Sequence, residues 1–140
     1  MGLVHRLLIA IHGSALGQQQ LDALAGVGAT LVWSPFSNLW LYGTTAAIGQ
    51  AKGSGLRLCL GSDWAPSGTT NVLWELKVAD LWNRAQPQPV FTPEELCELV
   101  TANPGDALVQ AWPHPVGRLV PGAAADLVVV AHEPLTCMPT

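Results

Sequence analysis

Two side chains stand out by chemical type and by position. His12 closes the apolar run Leu7-Leu8-Ile9-Ala10-Ile11, and Asp63 follows Leu56-Arg57-Leu58-Cys59-Leu60 with Gly61 and Ser62 between. Imidazoles and carboxylates are the side chains that hold metal ions and move protons near neutral pH. A third run, Ala29-Thr30-Leu31-Val32-Trp33, lies between them and is followed by Ser34, Ser37 and Asn38. If the three runs are parallel strands, all three ends face one rim. Parallel α/β folds place their active sites on that rim.

The elements needed to position these residues are legible. Continuous apolar runs of strand length suit strands buried on both faces, as in parallel sheets. After His12-Gly13-Ser14 a helix is expected over about Gln18 to Ala25, with Leu21, Leu24 and Ala25 on one face and Gly26 and Gly28 stopping it. Phe36 to Tyr42 reads as an aromatic-rich loop, and Thr44 to Lys52 as a helix closed by Gly53-Ser54-Gly55. A longer helix runs from Val72 to about Arg84, with an apolar face of Leu73, Leu76, Val78 and Leu81. Three strand–loop–helix units in sequence argue for an α/β fold with a parallel sheet.

The remainder is different in character. Gln86-Pro87-Gln88-Pro89 is a break, and Thr92-Pro93-Glu94-Glu95 is a helix start with Thr92 as N-cap and Glu95 as the capping-box acid. That helix carries Leu96, Leu99 and Val100, ends at Asn103-Pro104-Gly105, and is followed by a short helix over Asp106 to Gln110. Gly117 to Gly122 is turn-rich. Ala125 to Val130 reads as a strand that opens a separate β unit. The expected division is 1–115 for the α/β part and 116–140 for an incomplete β segment.

Composition narrows the function classes. Of 140 residues, 49% are hydrophobic and 11% charged, where roughly 25% charged is usual. Mean hydropathy is +0.31, yet no stretch approaches the ~18 continuous apolar residues of a membrane span. The excess apolar surface is therefore expected at an interface, or in a larger core that this chain partly supplies. A net charge of −4 with no basic patch argues against nucleic acid. Cys59, Cys97 and Cys137 are widely spaced and odd in number, and read as reduced, mostly buried thiols of a cytoplasmic protein.

Several segments in order carry a resemblance. They are Ile11-His12-Gly13-Ser14-Ala15-Leu16, Ser34-Pro35-Phe36-Ser37-Asn38-Leu39, Leu60-Gly61-Ser62-Asp63-Trp64, Glu75-Leu76-Lys77-Val78-Ala79, and Val116-Gly117-Arg118-Leu119-Val120-Pro121-Gly122 running on to Ala125-Asp126-Leu127-Val128-Val129. Together they resemble the amidohydrolase superfamily, above all its cytosine/guanine deaminase and chlorohydrolase-like branch. The resemblance implies a (β/α)8 barrel of the TIM type with a small β-sandwich, of which this chain would supply strands six to eight and the start of the sandwich's C-terminal half. It makes Asp63 the strand-eight aspartate that contacts the metal and shuttles a proton. It makes His12 the strand-six histidine, near the metal, that polarises the substrate or stabilises a tetrahedral intermediate. The family's His-x-His pair and its strand-five histidine have no counterpart in these residues.

A catalytic divalent metal needs about three protein ligands and an open water position, and a whole barrel takes about 250 residues. The expectation is therefore a metal-dependent hydrolase of C–N bonds other than peptide bonds, active in its complete form. It would use zinc, with iron as the alternative, on a small molecule such as a heterocyclic amine. The competing expectation is a non-catalytic fragment that associates with a missing N-terminal half, or with itself. Each residue also has a plainer role. Asp63 could merely cap the turn before Trp64, and His12 could be a buried strand-end histidine bonded to backbone; the motif favours function for both. Ser37 and Asn38 fit a structural turn better than a substrate contact. Trp64 fits ring stacking and core packing equally. Glu75 and Lys77 read as solvated or paired helix residues, and His5, His114 and His132 as surface residues.

Overall fold

The computed structural model describes residues 3–109, 112 and 114–129. Three strands form one parallel sheet in the order β1 (Ile9–Ile11), β2 (Thr30–Trp33) and β3 (Arg57–Leu60). Ala10 pairs with Leu31 and Leu31 with Leu58, so the register is continuous across the sheet. Helix α1 (Gln18–Gly26) returns from β1 to β2. Helices α2 (Pro35–Tyr42) and α3 (Ile48–Gly53) lead from β2 to β3, and α4 (Val72–Arg84), α5 (Pro93–Glu98) and α6 (Ala102–Leu108) follow. The strand–helix alternation expected from the sequence is the one observed.

The core lies between the sheet and its helices. Leu21, Leu31, Trp33, Ile48, Leu96 and Leu99 are buried together. Trp33 meets Trp82 edge-on, with ring centroids 5.0 Å apart. The capping box at the start of α5 forms as read: Glu95 N donates to the Thr92 hydroxyl at 3.2 Å, and Thr92 N donates to Glu95 Oε2 at 2.8 Å. Lys52 Nζ joins that box to the preceding loop by donating to Glu95 Oε2 at 2.6 Å and to the Val90 carbonyl at 2.7 Å.

Several expectations are corrected. The first run is an edge strand, not one buried on both faces: Ile9 is 40% and Ile11 63% exposed, because β2 is its one neighbour among the described residues. Residues 36–42 are helical, not a loop. Pro35 occupies the first turn, where a missing N–H costs nothing, and Gly43 takes the left-handed cap at φ 65°. Helix α3 begins at Ile48 rather than Thr44, since Thr45 is drawn inward by side-chain hydrogen bonds. Helix α4 turns Glu75, Ala79 and Asn83 inward and leaves Leu73 and Leu81 exposed, so its buried stripe is not the expected apolar one. Of the two roles read for Glu75, solvated or paired, the first is overturned: it is buried in the core with hydrogen-bond partners.

The Asn103-Pro104-Gly105 segment lies inside α6 instead of ending the preceding helix. Pro104 falls in the first turn, whose N–H groups lack helical partners anyway, and a side chain on Gly105 would collide with the Val116 carbonyl. Residues 125–129 belong to no strand, and Val130 lies outside the described residues. The segment does not join the edge of either outer strand, so its backbone stays unladdered. Cys59 is buried as expected, but Cys97 is exposed; Cys137 and His132 lie outside the described residues. His5 and His114 are exposed as read. No helix among the described residues is long and apolar enough to cross a membrane.

Candidate active site

His12 and Asp63 meet where the sheet ends. His12 Nε2 lies 3.8 Å from Asp63 Oδ2, and both side chains keep access to solvent. His12 holds its place with an unusual backbone: φ is 65°, the one positive value among the described non-glycine residues. Its own N–H bonds across to the Val32 carbonyl at 2.9 Å, and Gly13 N closes a tight turn onto the Ile11 carbonyl at 2.9 Å. A left-handed non-glycine residue costs on the order of 1–3 kcal/mol and recurs where function over-determines geometry. Gly13 is itself required, because a Cβ there would stand 2.8 Å from Leu31 Cδ1.

Asp63 is held on both oxygens. Trp64 N donates to Oδ1 at 2.8 Å. The Ser37 hydroxyl donates to Oδ2 at 2.6 Å and the Ser67 hydroxyl at 3.2 Å. These donors favour the ionised form, and the Ser37 hydroxyl, foremost among them, holds the carboxyl below its ordinary value. Gly68 backs the loop so closely that any side chain there would collide with the Asp63 carbonyl.

The candidate substrate residues occupy different levels. Ser37 and Asn38 are 1% and 0% exposed. Ser37 supports Asp63, and Asn38 Nδ2 lies 3.2 Å from His12 Nδ1. Trp64 is 70% exposed on the rim, not in the core of this chain. An open groove of about 680 Å³ runs along β1 past His12, lined by Ala10, Ile11, Gly13, Leu16 and Tyr42.

Sequence reasoning missed the supports behind this rim. Glu75 is fully buried; its Oε1 accepts from Phe36 N at 2.8 Å and its Oε2 from the Thr69 hydroxyl at 2.6 Å. It thereby ties the start of α2 to the loop that carries Asp63. The signal was its place four residues before Ala79 and eight before Asn83, a small and polar stripe. Ser67 and Thr45 carried no spacing signal, since each reaches its partner across a loop.

The donor set at the rim is one carboxylate and one imidazole. Oxygen and nitrogen donors of this kind suit a divalent ion such as zinc. Among the described residues no three His, Cys, Asp or Glu side chains converge. The residues fit one side of such a site, and the remaining ligands would come from outside them.

Known proteins resemble this chain in sequence and in fold. The chain is 30% identical to the 5-methylthioadenosine/S-adenosylhomocysteine deaminase of Caldicellulosiruptor saccharolyticus over 141 residues, which is 99% of this chain and 32% of the relative. It is 34% identical to the enzyme of the same name from Pyrococcus furiosus over 133 residues, 93% of this chain and 31% of that one. The chain thus spans about a third of the length of the curated relatives it matches. Its fold matches an adenosine deaminase from Xanthomonas campestris, solved with bound zinc, at a TM-score of 0.78 and 23% identity over 89% of this chain and 29% of that one. It matches the guanine deaminase of E. coli at a TM-score of 0.76 and 22% identity, over 89% and 28% of the two chains. The family model for the amidohydrolase family matches residues 2–140, and this chain belongs to that family.

Proposed function

We propose that the complete protein is a metal-dependent hydrolase of C–N bonds other than peptide bonds, and that these residues form the half of its active site that carries Asp63 and His12. The observation that carries this reading is the convergence of the two side chains, 3.8 Å apart, from the end of β1 and from the start of the loop after β3. Asp63 would hold the divalent metal, zinc first and iron as the alternative, together with ligands from outside this chain. Such an ion supplies a bound water acidic enough to become hydroxide near neutral pH.

The chain's own residues do the rest. Ser37, Ser67 and the Trp64 amide keep Asp63 ionised at rest. The carboxylate can then take a proton and pass it to the leaving nitrogen. His12 presents its ring beside that carboxylate, toward the substrate. Exposed Trp64 offers a face on which a heterocyclic ring can stack. The relatives' names point to a nucleobase-like amine as substrate. Residues 1–115 would form barrel strands six to eight, and 116–140 the entry to a β-sandwich. The free thiols Cys59 and Cys97 suit the cytoplasm.

The test is deamination of 5-methylthioadenosine or S-adenosylhomocysteine by a polypeptide that contains these residues with the remaining strands. Asp63→Ala should lower turnover by at least about 10²-fold; full activity in that variant would remove Asp63 from the reaction.

A second reading is favoured by the exposed edge of β1. Ile9 and Ile11 leave apolar surface and unpaired backbone beside the groove. On this reading the chain is non-catalytic and acts by associating with a partner or with itself. Size-exclusion chromatography of the chain by itself tests its self-association: this form of the reading predicts species larger than 14.8 kDa, and a compact monomer would refute self-association.

A further inference from the structure

A buried run of hydrogen bonds ends on His12, and with the Asn38 amide as oriented in the structure it runs in one direction. It begins at Trp33 Nε1, 2.6 Å from the Thr45 hydroxyl oxygen. An indole N–H only donates, so the Thr45 oxygen accepts and its own proton must point elsewhere. The available acceptor is Asn38 Oδ1, 3.3 Å away. The Asn38 amide is oriented to match, with its oxygen toward Thr45 and its NH2 toward His12. Asn38 Nδ2 lies 3.2 Å from His12 Nδ1, so the NH2 donates and Nδ1 accepts. A neutral imidazole carries one proton, which therefore sits on Nε2, the nitrogen that faces Asp63 Oδ2.

We infer that Trp33, Thr45 and Asn38 are positioning residues that lock His12 as the Nε2–H tautomer and so make it a hydrogen-bond donor to the rim rather than a metal ligand. Both ring nitrogens are committed: Nδ1 has its lone pair engaged by Asn38, and Nε2 has its own proton. The rim then pairs a donor, His12 Nε2–H, with an acceptor, Asp63 Oδ2. It suits a substrate with a hydrogen-bond acceptor, such as a carbonyl oxygen or ring nitrogen, beside the atom under attack. The tautomer follows from the hydrogen-bond polarity together with the orientation of the Asn38 amide; its catalytic consequence rests on the proposed function. Trp33 and Asn38 are fully buried in this relay, so water does not compete for their groups.

The experiment is ¹⁵N–¹H long-range correlation of the full chain labelled at histidine nitrogens, at pH about 8.5, where an ordinary imidazole is neutral. The His12 signals are assigned by their loss in His12→Gln. The wild-type chain should show the Nε2–H tautomer in at least about tenfold excess, the scale set by leaving a buried donor and acceptor unpaired. Thr45→Val should reduce that excess by breaking the relay, and Thr45→Ser should restore it. A wild-type His12 with its proton on Nδ1, or a mixture, overturns the inference even if the variants fail to fold. So does a folded Thr45→Val chain with an unchanged tautomer. None of these readouts depends on turnover, so the inference and the proposed activity fail separately.

Discussion

The Ser37 hydroxyl donates to Asp63 Oδ2 at 2.6 Å from a position that is almost entirely buried. This bond joins α2, which follows β2, to the loop that follows β3. It is the foremost reason that the Asp63 carboxyl is held below its ordinary value. Ser37→Ala should therefore move the Asp63 midpoint upward, as read by ¹³C NMR titration of its carboxyl carbon. A carboxyl whose folded value is depressed adds stability above its unfolded value, about 3.9, and loses it as pH falls through the folded value. The acid unfolding limb of Ser37→Ala should accordingly depend less on Asp63. An unmoved midpoint would show that Ser37 is not what holds the carboxylate.

The buried thiol gives a second pH dependence of opposite sense. Burial raises the Cys59 thiol to about 11, from an ordinary value of 9.0. The neutral form is favoured in the folded chain, so this contribution is whole below pH 9.0 and is lost as pH rises from there through about 11. At pH 8, iodoacetamide should label exposed Cys97 and spare Cys59, as read by peptide mass spectrometry. Labelling of Cys59 as fast as Cys97 would contradict its burial.

Glu75 tests the support beneath the rim. It is fully buried and satisfies Phe36 N and the Thr69 hydroxyl. Glu75→Ala strands both donors and should cost about 2–6 kcal/mol in urea unfolding, from one to three for each buried group left unpaired. Glu75→Gln retains an acceptor for Phe36 N and should cost less. Equal stabilities for the two variants would mean that these hydrogen bonds do not hold α2 to the Asp63 loop.

The sequence made the rim legible and hid what lies beneath it. Strand ends announce themselves because apolar runs stop at polar residues, which is how His12 and Asp63 are found. Helix α2 was hidden because Phe36, Leu39, Trp40 and Leu41 show no buried face of their own; its signals were Pro35 at the start and Gly43 at the end. Glu75 was hidden because a glutamate on a helix ordinarily faces water, and its partners, Phe36 and Thr69, are brought to it by tertiary folding. The apolar face expected for α4 went astray for the same reason: Leu73 and Leu81 are exposed while Asn83 is buried. A strand's exposure depends on neighbours, so the run through Ile11 could not reveal that it ends the sheet.

Asn83 shows how such a residue repays attention. Its Oδ1 accepts from Val90 N at 2.7 Å and Phe91 N at 2.9 Å, and its Nδ2 donates to the Phe91 carbonyl at 2.8 Å. One buried amide thus fixes the segment after the Gln86–Pro89 break and sets Phe91 against Trp33, with ring centroids 6.3 Å apart. Asn83→Leu should destabilise the chain by about 3 kcal/mol or more, at about 1 kcal/mol or more for each of the three bonds lost. A denaturant midpoint within error of wild type would contradict this.

Gly68 links backbone packing to the reaction itself. A Cβ at this position would run into the Asp63 backbone. Gly68→Ala must therefore shift the 63–68 loop and move the carboxylate away from the Ser37 hydroxyl and from His12. In a catalytically complete form it should lower kcat by about 10²-fold, the scale of roughly 1 Å misplacement at a reacting group. Gly26→Ala is the control: it ends α1 with open space around it and should leave kcat unchanged. Comparable losses in both variants would assign the effect to general destabilisation, whereas a loss confined to Gly68→Ala ties the close approach at Asp63 to turnover.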